Sequence, residues 1–548
     1  MQSTPQPLPD HDVVIIGAGV AGALIGARLS GAGVRVLILE AGPVTDRAAS
    51  VRRYRSGFYA YESPEWAPQP TTADLNHYFV QAGAVPWSSD YERRVGGTTW
   101  HWLGNSPRLL PSDFEMQTRF GVGIDWPMRY DDLEPWYLQA EEELGVAGDG
   151  EAEYGSPRSG PYPMPPLPLS SGDLLFKEAA ATLGYEVVPT PQARNSVEGY
   201  QGRSICCGNG TCIPICPVQA KYDATYHLDL AVAGGAQLLP DSVVYHIDVD
   251  ADGQIAGIHY KSPDGADHVV TGRIYVIAAN GIETPKLLLM STGEYAEAGV
   301  ANSSDQVGRN LADHPAMYTG AELPRAYAGS RGPLQLAGID SLREGDFRSE
   351  RSAFRFEIGH SVGNPFELAR NLIAEGRLVG KELIERIGTT VPYQVGVSSL
   401  TEQLPNPENR VVPDETEVDA LGIPRPRLVY SHDDYTRDGL QAAIQFHHEL
   451  LGAMGATGTF DSGVYGVGHL MGTYLMGDDP ATSVTDRTGR THDHANLYLA
   501  GSGLFPTSGT ANPTLTIAAL ALLTADAIGT DLGIPVPVAT PVASPVAE

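Results

Sequence analysis

The stretch that decides the fold reads DVVIIGAGVAG and spans residues 12–22. Its apolar start is typical of a buried parallel strand, and the small residues that follow indicate a helix to about Gly31. A second apolar run, residues 34–39, predicts another strand that ends at Glu40. The segment therefore predicts a βαβ unit with the glycine spacing of a dinucleotide-binding fold.

The glycines and the acid of this unit predict which part of a ligand it holds. Gly17, Gly19 and Gly22 together permit a tight turn, close approach of backbone to a pyrophosphate, and close packing of helix on strand. Glu40 stands where a carboxylate binds the hydroxyls of an adenosine ribose, which argues against a 2′-phosphate. We expect these four residues to bind FAD or NAD, and the fingerprint alone does not separate the two cofactors.

Composition excludes several classes of protein. The chain has 548 residues, with 66 acidic and 36 basic residues, so its formal net charge is −30. A chain this acidic repels nucleic acid and anionic lipid, and we expect neither as a partner. Hydrophobic residues make up 42% of the chain, which is typical of a globular protein. The apolar run 515–523 is shorter than the ~20 residues of a membrane span, so we expect no direct membrane insertion.

All four cysteines lie in the string CCGNGTCIPICP, residues 206–217. Disulfides that close such short loops gain little, and structural zinc prefers two well-separated cysteine pairs. The ending C-x3-C-P is typical of iron–sulfur ligands, and glycines let backbone amides approach cluster sulfides. Three thiolates suffice for a [3Fe–4S] cluster, so the spacing predicts ligands at Cys212, Cys216 and either Cys206 or Cys207.

The rest of the chain gives a coarse outline. Prolines at 157–168 indicate an extended connection, and turn signals between 243 and 278 predict a three-stranded meander. Helices are predicted at 438–454 and 515–528. The proline-rich tail from residue 534 is expected to be disordered.

Five motifs follow one another along the chain: VGGTTWHW (95–102), DWPM with YDDLEP (125–135), IAANGIETP (277–285), GRNLADHP (308–315) and the C-terminal stretch 496–516. They resemble motifs of the glucose-methanol-choline (GMC) oxidoreductases, and the match runs in order from about residue 10 to 530. In that family the first motif is a flavin-binding loop, the third is a strand and turn over the nucleotide, and the last is a flavin-binding segment. The catalytic subunits of bacterial FAD-dependent sugar dehydrogenases are similar in also carrying a cysteine string at the place of residues 206–217.

The resemblance implies an α/β fold in which a Rossmann-like FAD-binding domain is interleaved with a substrate domain built on an antiparallel sheet with helices. The implied boundaries are the FAD-binding domain at 8–155, 218–320 and 462–532, a proline-rich connection at 156–205, the cluster loop at 206–217, the substrate domain at 321–461, and a disordered tail at 533–548.

The resemblance also assigns roles to residues. His469 is implied as the base that takes the hydroxyl proton, and Asn512 as the residue that orients the hydroxyl. Cys206 is favoured over Cys207 as the third cluster ligand, and His101 stands where some sugar oxidases attach flavin, although we expect non-covalent FAD. The implied cofactor-binding residues are Gly17, Gly19, Gly22, Glu40, Gly96, Gly97, Thr98, His101, Ala279, Gly501 and Asn512.

Two positions differ from the family pattern, and other histidines have competing interpretations. Gly501 replaces the acid of the V-x-D-x-S segment, and Gly468 replaces a polar residue before the base. His314 is expected to support a turn near the flavin. His447 and His448 are expected to be packing or surface residues, and His492 with His494 is a weaker candidate for a metal site.

The implied activity is oxidation of a hydroxyl of a sugar, polyol or glycoside, with electrons leaving through the cluster to an external carrier. The implied partners are a small subunit and a cytochrome or quinone acceptor. Residues 1–12 lack the features of a secretory signal, so we expect co-export to the periplasm or membrane periphery with a partner, or else a cytoplasmic location. The alternatives are a sugar oxidase that makes hydrogen peroxide and a non-catalytic electron-transfer flavoprotein.

Overall fold

The computed structural model describes residues 11–57, 79–89, 91–327, 329, 332–360, 365–376 and 378–536. Its helices in these ranges are α1 (Val20–Gly31), α2 (Arg47–Gly57), α3 (Met116–Phe120), α4 (Tyr130–Leu144), α5 (Ser171–Thr182), α6 (Thr225–Ala233), α7 (Asn280–Met290), α8 (Pro365–Ala374), α9 (Gly380–Thr390), α10 (Asp434–Ala453) and α11 (Thr514–Leu532). Its strands are β1 (His11–Ile16), β2 (Val36–Leu39), β3 (Val80–Gln81), β4 (Val146–Ala147), β5 (Val188–Pro189), β6 (Gln192–Ala193), β7 (Gln237–Leu239), β8 (Val243–Val249), β9 (Ile255–Lys261), β10 (Asp267–Val270), β11 (Gly272–Ile277), β12 (Pro315–Ala316), β13 (Tyr318–Glu322), β14 (Gln335–Ile339), β15 (Phe354–Gly359), β16 (Gln394–Thr401), β17 (Arg410–Val418), β18 (Pro424–Val429), β19 (Thr457–Asp461), β20 (Tyr465–Gly466) and β21 (Leu497–Leu499).

A five-stranded parallel sheet carries the nucleotide-binding fingerprint, in the order β21-β11-β1-β2-β7. The predicted βαβ unit is confirmed as β1, α1 and β2, although the second strand begins at Val36 rather than Val34. The strands of this sheet come from the beginning, middle and end of the chain. This sheet is therefore assembled from separate segments of the chain, in line with the interleaved fold that the resemblance implied.

Helix α11 completes this half of the core. It packs against α1 and α4, and α1 also packs against α6. By length and hydropathy it is the one candidate for a membrane span within the described ranges, but 61% of its apolar window is buried inside the protein. Its apolar surface is therefore explained by packing in the core, where burial of apolar area stabilises the fold.

A six-stranded antiparallel sheet forms the second half, in the order β19-β13-β16-β15-β14-β5. Helices α5 and α10 cover one face, where Phe176, Phe356 and Phe446 share a buried core. This sheet matches the antiparallel sheet expected of the substrate domain. Two of its strands are not contained in the range 321–461 that was predicted for the substrate domain. Strand β5 lies earlier in the chain, and β13 begins at Tyr318.

Smaller sheets flank these two halves. The predicted meander is confirmed as the antiparallel order β10-β9-β8, after which β11 joins the parallel sheet. Strands β17, β18 and β3 form another sheet, and β12–β20 and β4–β6 form short pairs. The β12–β20 pair brings residues 315–316 next to 465–466, which places two site segments together.

Two predicted boundaries were wrong. The segment 156–205 is not an extended connection throughout, because α5 begins where the prolines end and is capped by Ser170, whose hydroxyl accepts the N–H of Asp173 at 3.1 Å. The disordered tail was predicted to begin at residue 533, but Ile534 and Val536 pack against the core. The rest of the predicted tail, residues 537–548, lies outside the described residues.

Candidate active site

A cavity of about 1130 Å³ extends from the nucleotide-binding fingerprint to the six-stranded sheet. Small-molecule pockets commonly occupy roughly 300–1,000 Å³, so this cavity has room for a dinucleotide together with a second ligand. Most of the predicted site residues line it, which brings together segments that are far apart in sequence. These residues are Gly17, Gly19, Glu40, Gly97, Thr98, His101, Ala279, His469, Gly501 and Asn512.

The fingerprint glycines have different surroundings. Gly17 has φ +104°, and a Cβ there would lie 2.5 Å from the carbonyl oxygen of Ala278. Gly19 faces open space, with no atom within 4 Å of an added Cβ, so its backbone is free to approach a ligand. Gly22 and Gly96 do not line the cavity, so their predicted contact with a cofactor is not supported. A Cβ on Gly22 would lie 2.0 Å from the carbonyl oxygen of Gly17, which explains why α1 needs glycine there.

Glu40 is held by backbone donors at the end of β2. Its Oε2 accepts the N–H of Ala18 at 2.8 Å and its Oε1 accepts the N–H of Gly42 at 2.9 Å. Burial raises the pKa of Glu40 to about 7, although these two N–H groups act in the opposite direction. The side chain of Glu40 lines the cavity, and a carboxyl group with acceptor capacity left over suits contact with a ribose hydroxyl.

His101 also lines the cavity. Burial, with the nearby charges of Lys221 and Arg94, lowers its pKa to about 3, so the ring is neutral at physiological pH. Its Nε2 is buried and has no hydrogen-bond partner among the described residues. Buried polar atoms are normally paired, so this nitrogen is suited to contact a bound ligand.

His469 is in contact with a second histidine. Its Nδ1 lies 2.7 Å from Nδ1 of His314, and the Nε2 of His314 lies 3.0 Å from the carbonyl oxygen of Gly509. A carbonyl only accepts, so the Nε2 of His314 carries the hydrogen and its Nδ1 accepts. His469 then donates from Nδ1, and its Nε2 carries a lone pair. Burial, and the proximity of His314, hold the pKa of His469 well below its ordinary value.

The expected role of His314 was therefore incomplete, because it contacts the predicted base rather than only supporting a turn. Its fully buried ring sits beside Asp313, whose Oδ1 accepts the backbone N–H of His469 at 3.0 Å. Asp313 also accepts the hydroxyl of Ser89, and that hydroxyl accepts the N–H of Gly468 at 2.8 Å. These contacts fix the backbone that presents His469.

Gly468 is explained by this geometry. Its φ is +87°, a left-handed conformation that side chains rarely adopt. A polar residue at this position would be strained, so the departure from the family pattern reflects backbone shape. Gly501 also has a positive φ of +124°, and a Cβ there would lie 2.9 Å from the hydroxyl of Tyr474.

Asn512 lies just before α11 and lines the same cavity as His469. Its Oδ1 is buried and has no hydrogen-bond partner in the part of the chain that the structure describes. An amide left partly unsatisfied on a cavity wall can orient the hydroxyl of a bound alcohol. The structure therefore brings together the two residues to which the resemblance assigned catalysis.

The cysteines remain free thiols, and no three His, Cys, Asp or Glu residues within the described ranges are arranged as metal ligands. The predicted cluster on Cys206, Cys212 and Cys216 is therefore not confirmed. Burial raises the pKa of Cys206, and the neighbouring thiols of Cys212 and Cys216 raise it further, whereas Cys207 is exposed. The loop itself lies against the cavity, which Gly210, Thr211 and Ile213 help to line.

The metal hypothesis for His492 and His494 is not supported. His494 donates from Nδ1 to the carbonyl oxygen of Gly253 at 2.8 Å, and its Nε2 accepts the N–H of Ala301 at 3.1 Å. His492 is paired with Ser483 at 2.9 Å. Both rings therefore serve packing within the fold.

Sequence reasoning missed the polar residues at the far end of the cavity. Asn105, Gln335 and Glu357 line it, next to Ser398 and Tyr465. A signal was present in β15, where charged residues at 355 and 357 share one face of an otherwise apolar strand. Charged side chains on a buried face need hydrogen-bonding or ionic partners. Only the tertiary structure shows that Glu357 borders a cavity.

The fold and the site define a class of protein. A parallel nucleotide-binding sheet, a cavity large enough for a dinucleotide, and unpartnered polar atoms at His101 and Asn512 fit FAD. The neutral histidine His469 and the amide of Asn512, which line the same cavity, fit oxidation of a bound alcohol. The chain is therefore an FAD-dependent oxidoreductase that acts on CH–OH donors.

Comparison with known proteins agrees with this class. Family models described as GMC oxidoreductase match residues 165–316 and 405–521. The chain is 40% identical to the fructose dehydrogenase large subunit of Gluconobacter japonicus, over 95% of this chain and 98% of that protein. It is 31% identical to the paromamine 6′-oxidase of Streptomyces fradiae, over 95% of this chain and 92% of that protein. The chain belongs to the GMC oxidoreductase family.

A solved structure shares the fold. Pyridoxine 4-oxidase from Mesorbium loti superimposes with a TM-score of 0.63 and 18% sequence identity, and the match covers 94% of this chain and 99% of that one. The structural likeness at this low identity supports the fold alone. The particular substrate must be argued from the site.

Proposed function

We propose that this chain is the catalytic subunit of a dehydrogenase that oxidises a hydroxyl of a sugar, polyol or glycoside. The observation that carries the proposal is the His314–His469 contact, which leaves a basic lone pair on Nε2 of His469 at the cavity wall. FAD, when bound, supplies a two-electron acceptor for the hydride that leaves the alcohol carbon. The residues described below supply the binding and proton chemistry.

His469 accepts the hydroxyl proton at Nε2. Its lowered pKa keeps the ring unprotonated before substrate binds, so the lone pair is available at neutral pH. Asn512 orients the same hydroxyl through its side-chain amide. Gly17, Gly19 and Glu40 hold the adenosine diphosphate part of FAD at the opposite end of the cavity, and His101 lies between the two ends without a covalent bond to the cofactor.

The substrate class is supported by the relatives and by the polar wall. One relative is named for fructose and another for paromamine, both of them carbohydrate compounds. Asn105, Gln335 and Glu357 give the cavity several hydrogen-bonding groups at the end near the six-stranded sheet. Such groups suit a molecule with several hydroxyls, because buried polar atoms bind best when a ligand pairs them.

We also propose that electrons leave through a [3Fe–4S] cluster on Cys206, Cys212 and Cys216, with Cys207 free. Thiolates are the donors that iron–sulfur clusters use, and the cysteine loop lies against the same cavity as the flavin-binding residues. Lys221, next to this loop, donates to the carbonyl oxygen of Trp100 at 2.8 Å and so joins the loop to the flavin-binding segment.

A one-electron exit implies an external carrier. The proposed partners are a small subunit and a cytochrome or quinone, supported by a relative that is itself named a large subunit. We propose co-export to the periplasm or membrane periphery with such a subunit, with a cytoplasmic location as the alternative. A sugar oxidase that reduces oxygen to hydrogen peroxide is the second candidate function, favoured by the likeness to paromamine 6′-oxidase. A non-catalytic flavoprotein is disfavoured, because it would not need His469 and Asn512 at the cavity.

The test is anaerobic reduction of the purified protein with D-fructose, D-glucose and D-sorbitol, followed by reoxidation with oxygen or with a one-electron dye. Bleaching of the flavin by a sugar, with fast reoxidation by the dye and slow reoxidation by oxygen, supports the dehydrogenase. Fast reoxidation by oxygen supports the oxidase, and no bleaching contradicts both. Extraction should yield FAD, and iron and sulfide should be found together, whereas zinc without sulfide would overturn the cluster.

A further inference from the structure

Three polar side chains at the sheet end of the cavity form a connected group, which we call the polar trio: Asn105, Gln335 and Glu357. The amide nitrogen of Asn105 donates to Gln335 Oε1 and, at 3.3 Å, to Glu357 Oε1. The amide nitrogen of Gln335 donates to Glu357 Oε2. All three side chains are almost completely buried, and all three line the cavity.

The trio is held rigidly from behind. Arg355 donates to Glu357 Oε1 at 2.6 Å and is itself paired with Asp340 at 3.0 Å. On the other side, the side-chain amide of Gln192 donates to Asn105 Oδ1 at 3.1 Å. The trio therefore needs no rearrangement to present its remaining hydrogen-bonding capacity to a ligand.

That remaining capacity includes one donor and one acceptor on the hydrogen-bonded pair of Gln335 and Glu357. Gln335 Nε2 carries two hydrogens, and one of them has no acceptor among the residues the structure describes. Glu357 Oε2 accepts from Gln335 alone in the same part of the chain, so it retains a free lone pair. A hydroxyl group both accepts and donates, and so it satisfies this pair with one atom.

The trio belongs to the same cavity wall as the base. Glu357 lies opposite Ser398 on the neighbouring strand, and the hydroxyls of Ser398 and Tyr465 are 2.8 Å apart. Glu357, Ser398 and Tyr465 all line the cavity, so the Ser398–Tyr465 pair borders the trio. Tyr465 stands at the start of the short segment that ends at His469. A substrate whose reacting hydroxyl is at His469 therefore extends along this wall.

We infer that the polar trio binds a second hydroxyl of the substrate, distinct from the one that is oxidised. Gln335 donates to the oxygen of that hydroxyl and Glu357 accepts its hydrogen. The inference rests on the proposed function and deepens it, because it makes the enzyme selective for polyhydroxylated alcohols over simple ones. Asn105 fixes the amide of Gln335, so it positions the group without taking part in the chemical step.

The test compares polyhydroxylated and simple alcohols of six carbons: D-fructose, D-glucose and D-sorbitol against 1-hexanol and cyclohexanol. In the holoenzyme, Glu357→Gln should lower kcat/KM for the preferred polyol by roughly 10- to 100-fold, the range expected from a lost hydrogen bond to a charged group. The loss should be mainly in KM, and kcat/KM for 1-hexanol should change little. Gln335→Met, which removes the donor at similar volume, should have the same direction of effect and serves if Glu357→Gln fails to fold.

Glu402→Gln is the matched control. Glu402 is a fully buried carboxylate paired with Arg348 at 2.6 Å, but it does not line the cavity. A purely structural role for Glu357 predicts that both variants lose stability and that neither changes the preference for polyols. Retention of that preference in both Glu357→Gln and Gln335→Met would overturn the inference while leaving the proposed function intact. A wild-type enzyme that oxidises 1-hexanol but none of the polyols would overturn both.

Discussion

Replacing His469 by Ala removes the lone pair that the His314 contact directs toward the cavity. Loss of a positioned general base usually lowers a rate by about 10²–10⁴-fold, or ~3–5 kcal/mol of barrier. The substitution also leaves Nδ1 of the buried His314 without a donor, which should lower the free energy of unfolding by about 1–3 kcal/mol. We therefore expect a large loss of rate with a modest loss of stability, and nearly unchanged FAD content because His469 stands at the substrate end.

The measurement is the rate of anaerobic flavin reduction by the preferred sugar, divided by bound FAD. His447→Ala is the control, because His447 is a buried histidine that is paired with Thr319 and Ser399 but does not line the cavity. It should lose stability while keeping its reduction rate. A decrease of less than about tenfold in His469→Ala, with FAD retained, would refute the role of His469 as the base.

Four further outcomes are expected. His314→Leu should slow flavin reduction by at least about tenfold, because the tautomer of His469 is no longer fixed. In His314→Gln the side-chain oxygen can still accept the hydrogen on Nδ1 of His469, so this variant should keep part of the rate. The pKa of His469 is lowered, so the base stays neutral as the pH falls; reduction rates should stay level from pH 8 to 6.5, and an acid limb centred at or above 6.5 would contradict the structure. Burial raises the pKa of Glu40 from 4.5 to about 7, so its contribution to the stability of the cofactor-free chain is present below about pH 4.5 and lost as the pH rises to about 7; Glu40→Gln should flatten that part of the profile of Tm against pH. Cys212→Ser should abolish any iron signal and slow reoxidation by the dye while the sugar still bleaches the flavin.

Local sequence predicted the elements whose signals lie within a few residues. The apolar run, the glycine spacing and Glu40 identified β1, α1 and β2, and turn residues identified the meander, because each signal reflects backbone constraints inside one segment. Predictions failed where a short capping signal followed a run of prolines. Ser170 and Asp173 start α5 inside a segment that composition alone indicated to be extended.

The site was predicted in part through family motifs rather than through local chemistry. His469 and Asn512 were chosen from the motifs around them; the structure places both on one cavity, and their catalytic roles stay a prediction. Gly22 and Gly96 belong to the fingerprint and to a flavin motif but do not line the cavity, and a Cβ at either position would meet close neighbours. Only the atoms around each glycine show whether it faces a ligand or allows close packing. The cluster ligands stay a prediction from the cysteine spacing. The free thiols are not arranged as a metal site among the described residues.

The sequence by itself determined a dinucleotide-binding βαβ unit and a separate cysteine loop, because those signals depend on spacing along the chain, and its family motifs indicated an oxidoreductase. Only the tertiary structure decided what surrounds each side chain. The contact of His314 with His469 joins residues 155 positions apart, and the trio joins β14 and β15 to a loop before residue 110. Tautomers, lowered pKa values and free hydrogen-bonding capacity depend on such distant neighbours and on burial, and no local pattern encodes them.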